Sequence, residues 1–152
     1  GIQSGSLFHH FKSKEEILFT VMKEVIEYTS TKQNEAIAQV SSNRQKLKAL
    51  IVSELYAING VTCDAMTVLV FEWNALSRSH QHDLLALRNA YENTWINILR
   101  QLKEETGYVE SPQVWRKLLV GGIAWTVTWF RKDGSMSLES LADRVLLMAL
   151  GR

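Results

Sequence analysis

Apolar positions recur along most of the chain at three- and four-residue intervals, the spacing of one face of an α-helix. The first such stripe covers residues 13–39. The second lies within residues 47–58 and stops at residues 59–60, and another spans residues 84–102. No two alternating segments flank a hairpin turn, as a pair of strands would require. The pattern therefore predicts an all-α protein.

Residues 62–76 are apolar on nearly every side, which predicts a central rather than a peripheral helix. The β-branched residues of this segment leave a strand as the alternative, although the sequence offers no partner strand. Residues 77–82 are polar and predict a joint before the next helix.

Cap residues place the remaining helix ends. Gly107 closes the long helix before it. Ser111 and Pro112 start the next helix, since a proline in the first turn loses no hydrogen bond. That helix is expected to end at residues 133–134, and Ser137 caps the last one.

The two C-terminal helices are more apolar than a monomer of this size needs. The first contains a glycine pair, residues 121–122, which lets a second backbone approach closely. We therefore expect residues 112–132 and 137–150 to form a homodimer interface.

Composition narrows the class of protein. A chain of 152 residues with 46% hydrophobic content can bury a substantial core. The net charge of +1 means that any affinity for nucleic acid has to come from a local patch. Cys63 is the single cysteine, which forms no internal disulfide and fits a reducing cytoplasm. The longest near-apolar run, residues 118–130, is shorter than the roughly 20 residues of a membrane span, so no membrane segment is predicted.

The histidine pairs do not have the spacing of metal ligands. His80 and His82 would point to different sides of a helix, and His9 and His10 are adjacent. The sequence contains no glycine-rich phosphate loop, nucleophile elbow or zinc-protease motif. It therefore predicts no catalytic residues, no metal and no cofactor, and a protein that is not an enzyme.

Basic and hydroxyl side chains are concentrated at the start of the chain. Residues 3–14 contain no acidic side chain. Ser13 and Glu16 have the spacing of a capping box, which separates a short helix from the long one that follows. Such a surface suits phosphate groups.

The sequence of residues 1–18, G-I-Q-S-G-S-L-F-H-H-F-K-S-K-E-E-I-L, carries a specific resemblance. It resembles the signature that closes the helix-turn-helix of the tetracycline-repressor (TetR) family, G-V-S-x-G-T-L-Y-x-Y-F-x-S-K-E-E-L. Phe8 and His10 replace two tyrosines of that signature, and with them any phosphate contact of a tyrosine hydroxyl. The family pattern begins before Gly1, so we expect this chain to lack the first two helices of its DNA-binding domain.

The resemblance implies an all-helical homodimer with two parts. Residues 1–16 would be the remnant of the helix-turn-helix domain, and residues 17–152 the helical effector-binding and dimerisation domain. Residues 115–152 also resemble the end of such regulators, though less specifically. The helix that begins at Ser13 would transmit effector binding to the DNA-reading end.

In this interpretation the protein represses transcription by binding double-stranded operator DNA, and a small hydrophobic or acyl-type effector releases it. Expected contacts to base edges are Gln3, Ser4 and Ser6, and expected contacts to phosphates are His9, His10, Lys12 and Lys14. The alternative is a helical dimeric lipid-carrier or interaction domain that does not bind DNA.

Large side chains of the middle helices are the candidates for the effector site, since apolar walls with a few polar groups suit a ligand pocket. They are Tyr56, Met66, Phe71, Trp73, Asn74, Tyr91, Trp95 and Trp125. Any one of them can instead simply fill the core. Glu72 is polar within an apolar segment, and Arg88 is its candidate partner.

Overall fold

The computed structural model describes residues 13–60, 62–107 and 110–151. Within these ranges the chain is helical apart from short turns, and no strand occurs. The helices are α1, Lys14–Ala38; α2, Asn43–Asn59; α3, Cys63–Phe71; α4, Arg78–Thr106; α5, Pro112–Trp125; and α6, Leu138–Leu150. Two short 3₁₀ turns, Trp73–Ala75 and Thr126–Thr128, follow α3 and α5. The all-α prediction is confirmed.

A serine caps the start of five of these six helices, by accepting a hydrogen bond from a backbone amide of the first turn. The caps are Ser13, Ser42, Ser77, Ser111 and Ser137. Helix α3 differs, because its N-cap residue Thr62 makes no such bond. At the other end of α4, Gly107 adopts the left-handed conformation with φ of 70°, which glycine reaches without strain. The predicted caps at Ser13, Gly107, Ser111 and Ser137 are therefore confirmed.

Helix α2 is the centre of the fold, since it packs against each of the other five helices. Its stripe of apolar side chains is buried. The prediction that residues 62–76 form one central helix is wrong. Helix α3 ends at Phe71, and Met66 is its single fully buried residue. Other apolar side chains of α3, such as Leu69 and Val70, line a cavity or reach solvent.

Two further boundaries differ from the sequence prediction. Residues 77–82 form no separate joint, because Ser77 caps α4 and the helix begins at Arg78. Helix α5 ends at Trp125, well before residues 133–134. At this end the buried Thr126 hydroxyl donates a hydrogen bond to the backbone carbonyl of Ile123 at 2.6 Å. The side chain therefore occupies a carbonyl that a backbone amide would otherwise bond in a continuing helix.

Large apolar side chains of α5 and α6 remain exposed. Leu118 is 70% exposed and Met148 is 84% exposed, and Trp125 is also more than half exposed, as is Trp129 just after the turn that follows α5. Among the described residues no single helix is long and apolar enough to cross a bilayer. Only α2 and α3 taken together, which meet at 96°, have the required length and composition.

Candidate effector cavity

A cavity of about 380 Å³ lies between α1, α2, α3, α4 and α5. Its apolar wall consists of Ile26, Met66, Leu69, Val70, Trp73 and Val120. Its polar side chains are Thr29, Glu54, Asn74, Arg88, Tyr91, Glu92, Arg116 and Lys117. The volume is at the lower end of the range for small-molecule sites, and an apolar wall combined with polar groups that can orient a ligand is typical of them.

Glu54 is the most deeply buried acid of the cavity. Its side chain extends from the central helix α2, and the residue is 3% exposed. Carboxylate oxygen Oε2 accepts hydrogen bonds from Gln33 Nε2, at 3.0 Å, and from the hydroxyl of Tyr91. Burial raises the pKa of Glu54, against the opposing effects of the Tyr91 hydrogen bond and the charge of Arg116. Burial also raises the pKa of Tyr91 well above its usual value, and the neighbouring Glu54 adds to that rise.

Two arginines converge on one carboxylate at the side of the cavity. Arg88 Nε lies 3.1 Å and Arg116 Nη2 lies 3.2 Å from Oε1 of Glu92. The guanidinium of Arg88 also stacks on the Trp73 ring, 4.5 Å from its centroid. Arg88 therefore pairs with Glu92, and the predicted pairing with Glu72 is wrong.

Arg116 retains hydrogen-bonding capacity. Its Nε atom is buried and has no hydrogen-bond partner among the described residues. A buried donor without an acceptor costs about 1–3 kcal/mol, so a bound acceptor would be favoured at this position. Lys117 also lines the cavity. Three basic side chains, Arg88, Arg116 and Lys117, line the cavity with two acids, Glu54 and Glu92, so the balance of charge favours an anion.

The structure brings four of the eight candidate effector residues to the cavity, namely Met66, Trp73, Asn74 and Tyr91. The other four lie elsewhere. Trp95 is fully buried in the main core, and Phe71 and Trp125 are more than half exposed. Tyr56 lines a different groove, beside α1. The size of these side chains suggested a pocket, but the direction in which each helix presents them decides which of them reach it.

Glu54 and Arg116 are among the cavity residues that the sequence did not identify as effector candidates. Glu54 lies within the apolar stripe of residues 47–58, and an acid within such a stripe is itself a signal of a buried polar contact. Arg116 offered a weaker signal, because it lies next to Lys117 and could equally be one of two solvated cations.

The first turn of α1 is joined to the start of α4. Oε1 of Glu15 accepts a hydrogen bond from the backbone amide of Ser77 at 2.8 Å and lies 2.7 Å from Nδ1 of His80. The ring of Phe19 stacks on His80 with 4.5 Å between centroids. Hydrogen bonds from the Ser77 hydroxyl and amide, and then from His80, lower the pKa of Glu15 to about 2. We call this contact the α1–α4 junction.

Of the seven residues expected to contact DNA, the structure describes Lys14 alone. Gln3, Ser4, Ser6, His9, His10 and Lys12 lie outside the described residues. Lys14 is the first residue of α1, and its side chain is exposed. Helix α1 runs without a break across the domain boundary predicted at residue 16. Among the described residues, no group of three His, Cys, Asp or Glu side chains could hold a metal ion.

The described residues form an all-α domain in which five helices pack on one central helix, with a cavity beside it. Residues 40–152 match the family model described as "Tetracyclin repressor-like, C-terminal domain". The chain therefore belongs to the tetracycline-repressor family of transcriptional regulators and is not an enzyme.

A curated relative and a solved structure are similar to nearly the whole of this chain. The HTH-type transcriptional repressor KstR2 of Mycolicibacterium smegmatis is 26% identical over 156 residues, covering 99% of this chain and 75% of its own length. The crystal structure of superantigen PfiT is 46% identical, with a TM-score of 0.78 over 97% of this chain and 79% of that one.

Two more distant structures share the fold. KstR2 of Mycobacterium tuberculosis, described as a ketosteroid transcriptional regulator, has a TM-score of 0.80 and 22% identity over 99% of this chain and 78% of that one. AibR in complex with isovaleryl coenzyme A and operator DNA has a TM-score of 0.81 and 19% identity over 96% of this chain and 80% of that one.

Proposed function

We propose that this protein is a ligand-responsive transcriptional repressor acting in the cytoplasm. It binds operator DNA as a homodimer and releases it when a small hydrophobic or acyl-type effector with an anionic group occupies the cavity. The observation that carries this proposal is the apolar cavity of about 380 Å³ lined by Arg116, whose buried Nε has no partner among the described residues.

The chemistry of the cavity supports this class of effector. An alkyl or alicyclic group would pack on Met66, Val70 and Trp73, where each buried methylene contributes about 0.8 kcal/mol. A carboxylate, thioester or phosphate oxygen would accept from Arg116. Among the similar structures, that of AibR contains isovaleryl coenzyme A, which is an acyl thioester, and KstR2 is described as a ketosteroid transcriptional regulator.

The outer faces of α5 and α6 support the homodimer. Leu118 and Met148 belong to the predicted segments 112–132 and 137–150, and they are the most exposed large apolar side chains among the described residues. Gly122 on α5 is exposed, and a Cβ atom built on it would meet nothing within 4 Å. An apolar face with room for a close backbone approach fits packing against a second copy.

Helix α1 is the element through which the effector would act on DNA. Its middle residues Ile26 and Thr29 line the cavity, and its first turn begins at Lys14, directly after the segment proposed to contact DNA. If the effector binds more tightly to an orientation of α1 in which the reading heads are wrongly spaced for the operator, operator affinity falls by the same coupling factor, because the coupling between two sites is reciprocal. The proposed DNA contacts remain Gln3, Ser4, Ser6, His9, His10, Lys12 and Lys14.

Operator release is the test. DNA selected by the intact protein from a random duplex pool serves as the operator, and its affinity is measured with and without hexanoyl- and dodecanoyl-coenzyme A. We expect a bound thioester to lower operator affinity at least fivefold, the low end of ordinary coupling. Arg116→Met should weaken thioester binding about 10- to 150-fold, the range for a lost charge-assisted hydrogen bond.

The control is Arg100→Met, which removes an exposed arginine of α4 and should leave thioester binding unchanged. A thioester that binds without altering operator affinity would contradict the proposal. Failure to select any DNA would favour the lipid-carrier alternative instead.

A further inference from the structure

A second and larger depression lies beside the cavity. This outer groove has a volume of about 800 Å³ and runs between the second half of α1 and the C-terminal half of α2. We infer that the cavity and the outer groove are two parts of one binding channel, separated by the contact of Thr29 with Met66. The effector would then be an elongated amphipathic anion whose apolar tail passes this contact and lies in the outer groove. The inference rests on the proposed effector site and extends it.

Thr29 is the residue that the two spaces share, since its side chain lines both. Its hydroxyl approaches Sδ of Met66 to 3.7 Å, and both residues are only 2% exposed. A thioether is a weak acceptor, so separating this pair costs little. Methionine is unbranched with three rotatable bonds, which lets Met66 move aside without a shift of the backbone. The wall between the two spaces is therefore thin and made of adaptable atoms.

The helix that carries Met66 also has the fewest buried residues of the six. Helix α3 has nine residues, and Met66 is the only one fully buried. Its N-terminus has no side-chain cap, whereas each of the other five helices has a serine cap. A helix with few buried contacts and an uncapped end opens at low free-energy cost.

Charge distinguishes the two ends of the channel. The cavity contains three basic side chains, Arg88, Arg116 and Lys117, and two acids, Glu54 and Glu92, so positive charge is in excess there. In the outer groove the lysine is neutralised, because Lys32 Nζ lies 2.8 Å from Glu35 Oε2. The anionic group of the effector would therefore lie in the cavity and its tail in the outer groove.

The surface of the outer groove suits an apolar tail. Ala36, Val52 and Ala57 contribute apolar surface. Two tyrosines line the same groove, Tyr28 at 52% and Tyr56 at 46% exposure, which is high for aromatic side chains. A tail lying there would cover aromatic surface that is now in contact with water.

The test measures how affinity depends on chain length, with straight-chain fatty acids of 6 to 18 carbons as probes and calorimetry as the readout. Each methylene that enters an apolar site should tighten binding about fourfold. In the unmodified protein we expect this gain to continue for acids too long for the cavity alone. Ser53→Trp, which fills the outer groove from α2, should stop the gain at a shorter length and weaken the longest acids at least tenfold.

Ala36→Trp fills the same groove from the opposite wall. It should likewise stop the gain in affinity at a shorter chain length, so that the result does not depend on the folding of one variant. The short acids provide a check of the fold in each variant, because they should bind with unchanged affinity. Ser79→Trp, on the exposed face of α4, is the control and should leave the whole series unchanged. Met66→Ala should tighten the longest acids.

The inference is overturned if the groove-filling variants give the same length profile as the unmodified protein, or if no acid of any length binds. These readouts involve binding alone. They are therefore independent of operator release, which tests the proposed function.

Discussion

Glu54 shows how one residue can connect the core with the candidate site. It lies on the most buried helix, yet its carboxylate is held by Gln33 and Tyr91 at the edge of the cavity. Because the pKa of Glu54 is raised in the folded protein, its carboxyl group stays protonated to a higher pH there than in the unfolded chain. Its contribution to stability is therefore fully present below the unfolded pKa and is lost as pH rises through the folded pKa.

Replacing this acid should change the pH dependence of stability. Because Glu54→Gln cannot ionise, we expect it to gain stability relative to the unmodified protein as pH rises above about 4.5, by up to about 1.4 kcal/mol per pH unit until the folded pKa is passed. Urea denaturation from pH 4.5 to 8 measures this difference. Glu24→Gln, at an exposed position of α1, is the control. A difference between Glu54→Gln and the unmodified protein that stays constant across this range would show that Glu54 titrates normally.

At the scale of elements, the α1–α4 junction connects the two helices that matter most for the proposed coupling. Helix α4 supplies Arg88, Tyr91 and Glu92 to the cavity, and its first turn holds Glu15. An effector that moved α4 would thus act on the first turn of α1, next to the segment proposed to read DNA. Since the carboxylate binds at the start of α4, the helix dipole also favours its negative charge.

The junction makes its own prediction. Glu15→Ala should destabilise the protein at pH 7 and increase hydrogen exchange of the Ser77 amide, which loses its acceptor. A depressed folded pKa gives stability above the unfolded pKa, about 4.5, that is lost as pH falls toward about 2. The stabilities of Glu15→Ala and of the unmodified protein should therefore converge as pH is lowered through this window. Glu27→Ala, on an exposed part of α1, is the matched change and should leave exchange at Ser77 unaltered. An equally protected Ser77 amide in Glu15→Ala would argue against the junction.

For the whole molecule, the exposed side chains of α5 and α6 predict the oligomeric state. Leu118→Glu and Met148→Glu, made together, would place charges in an apolar interface, and we expect them to raise the dimer dissociation constant more than about a hundredfold. Sedimentation equilibrium of the intact protein measures this. Leu85→Glu, at an exposed apolar position of α4, is the comparison and should remain dimeric. An unmodified protein that stays monomeric at micromolar concentration would refute the interface.

The sequence predicted most of what is local. The caps at Ser13, Ser111 and Ser137, the C-terminal Gly107 and the buried stripe of α2 follow from hydrogen bonds and spacings within one or two helical turns, and the structure has them where the sequence placed them. The family was also recognisable from the sequence by itself, because residues 1–18 form one contiguous motif.

Tertiary structure alone decided which helix is central, where α5 ends and which side chains form the cavity. Helix α3 is more apolar than α2, yet α2 takes the centre, because position depends on the number of neighbours and not on composition. Arg116 and Glu54 meet Tyr91 although they lie on three different helices. The amino-acid pattern determines which face of each helix is apolar, but the relative rotation and crossing of the helices, set by the packing of all of them at once, determines which side chains share a cavity.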